Sequence, residues 1–222
     1  LGEEDKLIRV KVLNYNRNNY DVIKAYISSK ERVQSDCKHD PLFKQIPIIS
    51  ATKALSSILK LPSGKTDNSD KKYEDYIARI MASLLYPHLD FAQEQSRIES
   101  GTQIRDLIVY NNCSYPFLSE LYNDYDCKQI VFEMKNVKEV TRDHINQLNR
   151  YLSGQFGRFG ILVTRNRLKK NIFQNTIDLW SGQRKCLICL TDEDLKLMVD
   201  VYETKQRDPI EVIKKKYVEF IR

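Results

Sequence analysis

An acid and a lysine lie two positions apart in the segment Gln129–Asn136, which otherwise has the pattern of a buried strand. Because side chains alternate between the two faces of a strand, Glu133 and Lys135 share one face, and the apolar residues between them occupy the core-facing side. A carboxylate and an ammonium group are costly to bury without partners. We therefore expect these residues to form an ion pair, to bind a metal or to take part in catalysis.

A second carboxylate precedes the apolar run of an upstream segment, residues 101–110, in which Asp106 is followed by Leu107, Ile108 and Val109. This segment is predicted to be the neighbouring strand. If the two strands pair as a hairpin, Asp106 and Glu133 converge on one side of the sheet. Two carboxylates beside a lysine are typical of a site for a hard cation such as Mg²⁺. The reaction that these residues favour is phosphodiester hydrolysis.

A strand with Asp106, followed by a strand with Glu133 and Lys135, resembles the PD-(D/E)XK nuclease superfamily, in its restriction-endonuclease-like and Mrr-like branches. The resemblance covers the chain from about Lys71 to Met198. Arg105 precedes Asp106 where many members have a proline. The resemblance implies an α/β fold with a central mixed β-sheet flanked by helices, a restriction-endonuclease-like core, here preceded by an N-terminal helical region.

The resemblance also implies roles for individual residues. The catalytic residues would be Asp106, Glu133, Lys135 and Gln147. Mg²⁺, or Mn²⁺ in its place, would bind Glu74, Asp106, Glu133 and the backbone carbonyl of Met134. Two of these assignments have a structural alternative: Glu74 could be a surface acid stabilised by the dipole of its helix, and Gln147 an amide at the shoulder of its helix.

The charge of the chain favours a polyanionic partner without proving one, since the formal net charge is +6 among 222 residues. Several cations near the proposed site could line a phosphate track. They are Arg105, Lys138, Arg142, Arg165, Arg167, Lys169 and Lys170. Each of them could equally be an ordinary solvated charge.

A polar, turn-rich segment divides the chain at Pro62–Asp70. We predict a helical accessory region and linker over residues 1–66 and a nuclease domain over residues 67–222. The linker contains Ser-Gly-Lys-Thr at positions 63–66, but the glycine spacing of a phosphate-binding loop is missing, so an ATP site is not expected. The chain begins at Leu1 without a methionine, which leaves open an upstream domain or a partner subunit absent from this sequence.

The cysteines and the hydropathy favour a cytoplasmic protein. Five cysteines are an odd number without a repeated framework, which argues against a disulfide-stapled secreted module. Cys186 and Cys189 have CxxC spacing, but without a second such pair they are interpreted as core residues and not as zinc ligands. No apolar run approaches the roughly 20 residues that cross a bilayer, so no membrane partner is expected.

The function predicted from the residues and the resemblance together is that of a Mg²⁺-dependent deoxyribonuclease, in restriction, phage defence or repair. The alternative is a catalytically inactive nucleic-acid-binding or sensor module of the same fold. A third interpretation is a protein-interaction domain built on the N-terminal helices and the tyrosine-rich segment 111–127. Whether RNA is the substrate and whether the chain forms a homodimer stay open.

Overall fold

The computed structural model describes residues 3–34, 51–86, 88–97, 104–152, 154, 156–205 and 207–222, with the backbone alone described for helix residues 3–7, 9, 10, 13, 27 and 29–34 and for strand residues 90–97 and 104–106. Within these ranges the helices are α1 Glu3–Asn18, α2 Tyr20–Gln34, α3 Ala51–Lys60, α4 Ser69–Leu85, α5 Pro116–Tyr125, α6 Arg142–Tyr151, α7 Lys170–Gln183, α8 Asp192–Thr204 and α9 Ile210–Ile221. The strands are β1 Leu89–Arg97, β2 Ile104–Asn111, β3 Gln129–Lys135, β4 Phe159–Thr164 and β5 Cys186–Leu190.

The strands form one mixed sheet in the order β1-β2-β3-β4-β5. The first three strands pair antiparallel, and β3, β4 and β5 pair parallel. The parallel pairs are joined by the crossover helices α6 and α7, as parallel connections require. The predicted α/β class, with a mixed sheet flanked by helices, is confirmed. The central strand is β3, at which the sheet changes from antiparallel to parallel pairing.

Helices cover both faces of the sheet, which explains why β3 and β4 are almost continuously apolar. On one face, α6 and α7 pack against Val131 and Leu162. On the other face, α3, α4, α5, α8 and α9 share a larger core with Phe132 and Ile161. None of the helices within the described ranges combines the length and apolarity needed to cross a membrane.

The predicted accessory region contributes directly to this larger core. Ala54 and Ile58 of α3 are buried in the same cluster as Tyr73 and Ile77 of α4. The end of the accessory region therefore packs on the sheet domain, because the apolar face of α3 is covered there. The domain division at residue 66 stays a prediction.

A buried arginine joins four of these elements. Arg165, at the end of β4, pairs with Asp192 of α8 at 3.0 Å, and their side chains are 11% and 14% exposed. Its guanidinium also donates to the carbonyls of Ile58 (2.9 Å) and Leu61 (3.1 Å) at the end of α3. The same group lies 5.3 Å from the ring centre of Tyr73 in α4. Burial raises the pKa of Asp192 even beside this cation, because the charged carboxylate loses its contact with water.

We expect Arg165→Ala to lower the free energy of unfolding by about 3 kcal/mol or more, because it leaves Asp192 buried without its cation. The measurement is urea unfolding followed by circular dichroism. Arg167→Ala is the matched control, since Arg167 pairs with Glu193 where both side chains are more than two-thirds exposed, at 81% and 73%. A similar loss in both variants would contradict the structural role of Arg165.

Candidate active site

Glu133 and Lys135 lie near the C-terminal end of β3, on the face that α6 covers. The Nζ atom of Lys135 is 2.5 Å from Oε1 of Glu133, and the two side chains are 18% and 0% exposed. Alternation predicted that the apolar residues of this strand face the core, which would leave both charged residues facing solvent. That was wrong for Glu133, because β3 has a neighbouring strand on each side and α6 packs across it.

The pairing of β2 with β3 indicates where the backbone of Asp106 lies. The register of β2 and β3 runs from Tyr110 opposite Gln129 to Leu107 opposite Phe132. Continued by one residue, this register brings Asp106 opposite Glu133. Directly opposed positions on antiparallel strands share a face of the sheet. The side chains of Asp106 and Arg105 lie outside the described residues, so their roles stay predictions.

The helix that carries Glu74, α4, packs on the other side of the sheet. Asn136, which follows Lys135, donates from Nδ2 to the carbonyls of Pro62 and Gly64, both at 2.9 Å. The hydroxyl of Ser69, the first residue of α4, donates to the same Gly64 carbonyl at 2.8 Å. These bonds hold the beginning of α4 at the C-terminal end of β3. Glu74 lies half-buried in the next turn, and its contribution to metal binding stays a prediction.

Gln147 lies on the same side of the sheet as Glu133. It is half-buried on α6, beside the core residues Ile145 and Leu148, as the helical spacing predicted. Its Nε2 atom donates to the hydroxyl of Tyr151, one turn later, at 3.2 Å. This bond restrains the amide at the border between the core and the site.

His144 was missed by the sequence interpretation. Its Nδ1 atom accepts a hydrogen bond from the backbone N–H of Thr141 at 3.1 Å, which caps α6. Burial lowers the pKa of the imidazole, and the nearby charge of Lys135 lowers it further, against the opposing effect of Asp143. The signal in the sequence is its position, three residues after a threonine that begins a helix, which is the spacing of a capping box.

Thr164 lies directly beside Lys135 on the neighbouring strand β4. The residue is 1% exposed, and its Oγ1 atom has no hydrogen-bond partner among the residues that the structure describes. A buried hydroxyl without a partner costs about 1–3 kcal/mol. The core next to Lys135 therefore carries a polar group that does not stabilise the fold.

The predicted basic residues collect at one edge of the sheet, because the loops after β3 and β4 both leave from the C-terminal ends of parallel strands. The Nδ2 atom of Asn166 bonds the carbonyl of Lys138 at 3.0 Å and joins the two loops. The exposed cations of this edge are Lys138, Arg142, Arg167, Lys169 and Lys170. We call these residues the basic edge.

The members of the basic edge differ from Arg165, whose side chain is 11% exposed and whose phosphate contact stays a prediction. The guanidinium of Arg165 is turned inward and is already bonded to Asp192 and to the backbone of α3. Arg167 and Lys169 also have carboxylate partners, Glu193 at 2.9 Å and Glu139 at 2.6 Å. Both ion pairs are exposed, so a phosphate group can replace the carboxylate of either pair at little cost in free energy.

The donor atoms available for a cation near Glu133 are oxygens. Among the residues whose side chains are described, no group of three His, Cys, Asp or Glu residues converges on one point. A site of two carboxylates would therefore need Asp106, whose side chain is outside that set, and the backbone carbonyl of Met134 to complete it. Such a donor set suits Mg²⁺ or Mn²⁺ and does not suit zinc.

No family model and no solved structure matches the chain. A protein of Escherichia coli K12 described as a transposon gamma-delta 80.3 kDa protein is 33% identical over 67 residues. That match covers 30% of this chain and 10% of the length of the transposon protein.

We expect Thr164→Val to raise the free energy of unfolding by about 1 kcal/mol, because it replaces an unpaired buried hydroxyl by a methyl group of the same shape. Thr176→Val is the control. Thr176 is also 1% exposed, but its hydroxyl donates to the carbonyl of Phe173 at 2.7 Å, so its removal should destabilise the protein. Urea unfolding measures both. Destabilisation by both variants would show that Thr164 has a partner.

The lowered pKa of His144 predicts a specific loss of stability in acid. The folded protein favours the neutral ring, so it binds fewer protons than the unfolded chain, whose histidine has a pKa near 6.5. The stabilisation that comes from the neutral ring is fully present above the unfolded pKa. It is lost as the pH falls through the lower pKa of the folded protein. We expect the melting temperature to fall less for His144→Gln than for the wild type between about pH 7 and about pH 5. Parallel curves would contradict this assignment.

Proposed function

We propose that this chain is a metal-dependent endonuclease with a restriction-endonuclease-like core, acting on DNA in restriction, phage defence or repair. The observation that carries the proposal is the buried carboxylate of Glu133, paired with Lys135 at the end of the central strand, with the backbone of Asp106 next in register opposite it. The partial match to a transposon protein is compatible with a role on DNA.

The residues of this site fit a divalent cation. Glu133 is fully buried, and a buried anion is favoured when further positive charge lies close to it. Glu133, Asp106 and the carbonyl of Met134 would hold the ion, with Glu74 contributing from α4. When bound, Mg²⁺ polarises a phosphate group and lowers the pKa of a water molecule.

The protein side chains would perform the remaining work. Lys135 is partly exposed and can donate to the charge that develops on the phosphate or on the attacking hydroxide. Gln147, restrained by Tyr151, would orient groups at the border of the site. The basic edge would hold the nucleic-acid backbone and set the position of the scissile bond.

The second candidate is a binding module of the same fold that does not cut. The exposed basic edge favours it, because those cations need no catalytic centre to bind phosphates. The two candidates differ in the consequence of removing Glu133, which is essential for cleavage and dispensable for backbone binding.

The test is cleavage of supercoiled plasmid, linear duplex, single-stranded DNA and RNA with Mg²⁺, Mn²⁺ or EDTA. We expect metal-dependent cutting by the wild type and a loss of at least about 10²-fold in Asp106→Asn and Glu133→Gln. These substitutions keep the side-chain volume and remove the charge. Lys135→Ala is a poorer test, because it removes the cation beside a buried carboxylate and so also lowers stability.

Glu120→Gln is the matched control, since it makes the same chemical change at an exposed acid of α5, the helix that leads into the start of β3. It should cut like the wild type. Salt-sensitive binding without cutting in any metal would favour the binding module. Cutting that survives both Asp106→Asn and Glu133→Gln would contradict the proposed site.

A further inference from the structure

We propose that His144 contacts the substrate, donating a hydrogen bond from Nε2 to a phosphate oxygen of the nucleic acid bound at Lys135. This inference deepens the proposed function and rests on it. It assigns a hydrogen-bond donor for phosphate to the first turn of α6, in addition to the acidic and basic residues of the site.

The capping hydrogen bond determines which nitrogen of His144 can donate. Nδ1 accepts the backbone N–H of Thr141 at 3.1 Å, and the hydroxyl oxygen of Thr141 lies 3.4 Å from the same nitrogen. A nitrogen that accepts a hydrogen bond carries no proton, so the neutral ring carries its proton on Nε2. The cap therefore leaves the ring with one N–H donor, on the side away from Thr141.

The position of His144 on α6 brings this donor to the site. Residues 144, 147 and 151 are three and four positions apart and lie along one side of the helix. Gln147 and Tyr151 of this stripe are bonded to each other beside the core. His144 is the member nearest the beginning of α6, where the short connection from β3 arrives. Helix α6 packs on β3, whose last residue is Lys135, and the charge of Lys135 lowers the pKa of the imidazole.

The surroundings favour an anion at this place. Lys135 contributes a cation, and Lys138 and Arg142 are exposed on the connection and on the first turn of α6. The N-terminus of α6 adds its positive dipole end. A neutral N–H donor completes such a site without repelling Lys135, whereas a second buried cation would be costly there.

Three substitutions separate the contact from the cap. In His144→Glu the carboxylate can still accept the N–H of Thr141, as glutamate commonly does at this position of a capping box. It has no donor and would repel phosphate. In His144→Gln the oxygen can accept and the amide can donate, so both functions are kept. His144→Ala removes both.

We expect His144→Glu to melt at the wild-type temperature at neutral pH and to cleave a labelled duplex about 10- to 100-fold more slowly in single turnover, the value of a hydrogen bond to a charged group. His144→Gln should retain cleavage within about tenfold of the wild type. Cleavage by His144→Glu at the wild-type rate would overturn the inference. The inference would also be overturned if His144→Glu and His144→Gln lost the same share of the cleavage rate and showed the same fall in melting temperature.

The failure of the proposed function gives a different pattern. If the wild type cuts no substrate in Mg²⁺ or Mn²⁺, the proposed function is overturned, and duplex binding in Ca²⁺ then decides the role of His144. Weaker binding by His144→Glu, with wild-type binding by His144→Gln, supports the phosphate contact. Equal binding by the wild type and His144→Glu overturns it.

Discussion

The burial of the Glu133 carboxylate is the constraint on which the rest of the site depends. An ionised carboxylate inside a protein is tolerated when a cation and hydrogen-bond donors lie close to it. Lys135 provides the cation from the same strand, two residues later, because alternation brings it to the same face. The helix that covers this face, α6, carries His144 and Gln147, which are half-buried at its border.

The loop after β4 carries one buried arginine and one exposed arginine. Arg165 turns into the protein and joins α3, α4 and α8 to β4. Arg167, two residues later, is turned to solvent with the rest of the basic edge. The first arginine stabilises the fold, and the second is available to a polyanion. The same short segment thus connects the core to the surface on which a nucleic acid would lie.

Much of the fold was predictable because its patterns are local. Helical spacing in residues 69–85 is enough to predict α4, and the apolar runs indicate β3, β4 and β5 to within a few residues. The segment between β2 and β3 is harder to predict, since its tyrosines and acidic residues suit either a long loop or a short helix. It forms α5, whose residues Phe117 and Leu121 are buried in the main core. Only the tertiary packing decides between these alternatives.

The site was predictable in its residue types and less so in its environment. Alternation predicted that Glu133 and Lys135 share a face, but it gave no information on the helix that covers that face. The inward orientation of Arg165 depends on carbonyls of α3, more than 100 positions earlier in the chain. The proposed role of His144 depends on its capping bond with Thr141, which is not part of a motif of two acids and a lysine. These features arise from long-range contacts, which residue spacing does not encode.

The central claim is that Glu133 is held at the end of β3 to bind a divalent cation, and the most direct test is calorimetric titration of Mn²⁺ into the wild type, Glu133→Gln and the control Glu120→Gln. We expect the wild type and the control to bind Mn²⁺ alike. Glu133→Gln should bind Mn²⁺ more than about tenfold more weakly, since even mutations outside the ligand shell cost that much. Equal Mn²⁺ affinity in all three proteins, or no binding by the wild type, would contradict a metal-binding role for Glu133.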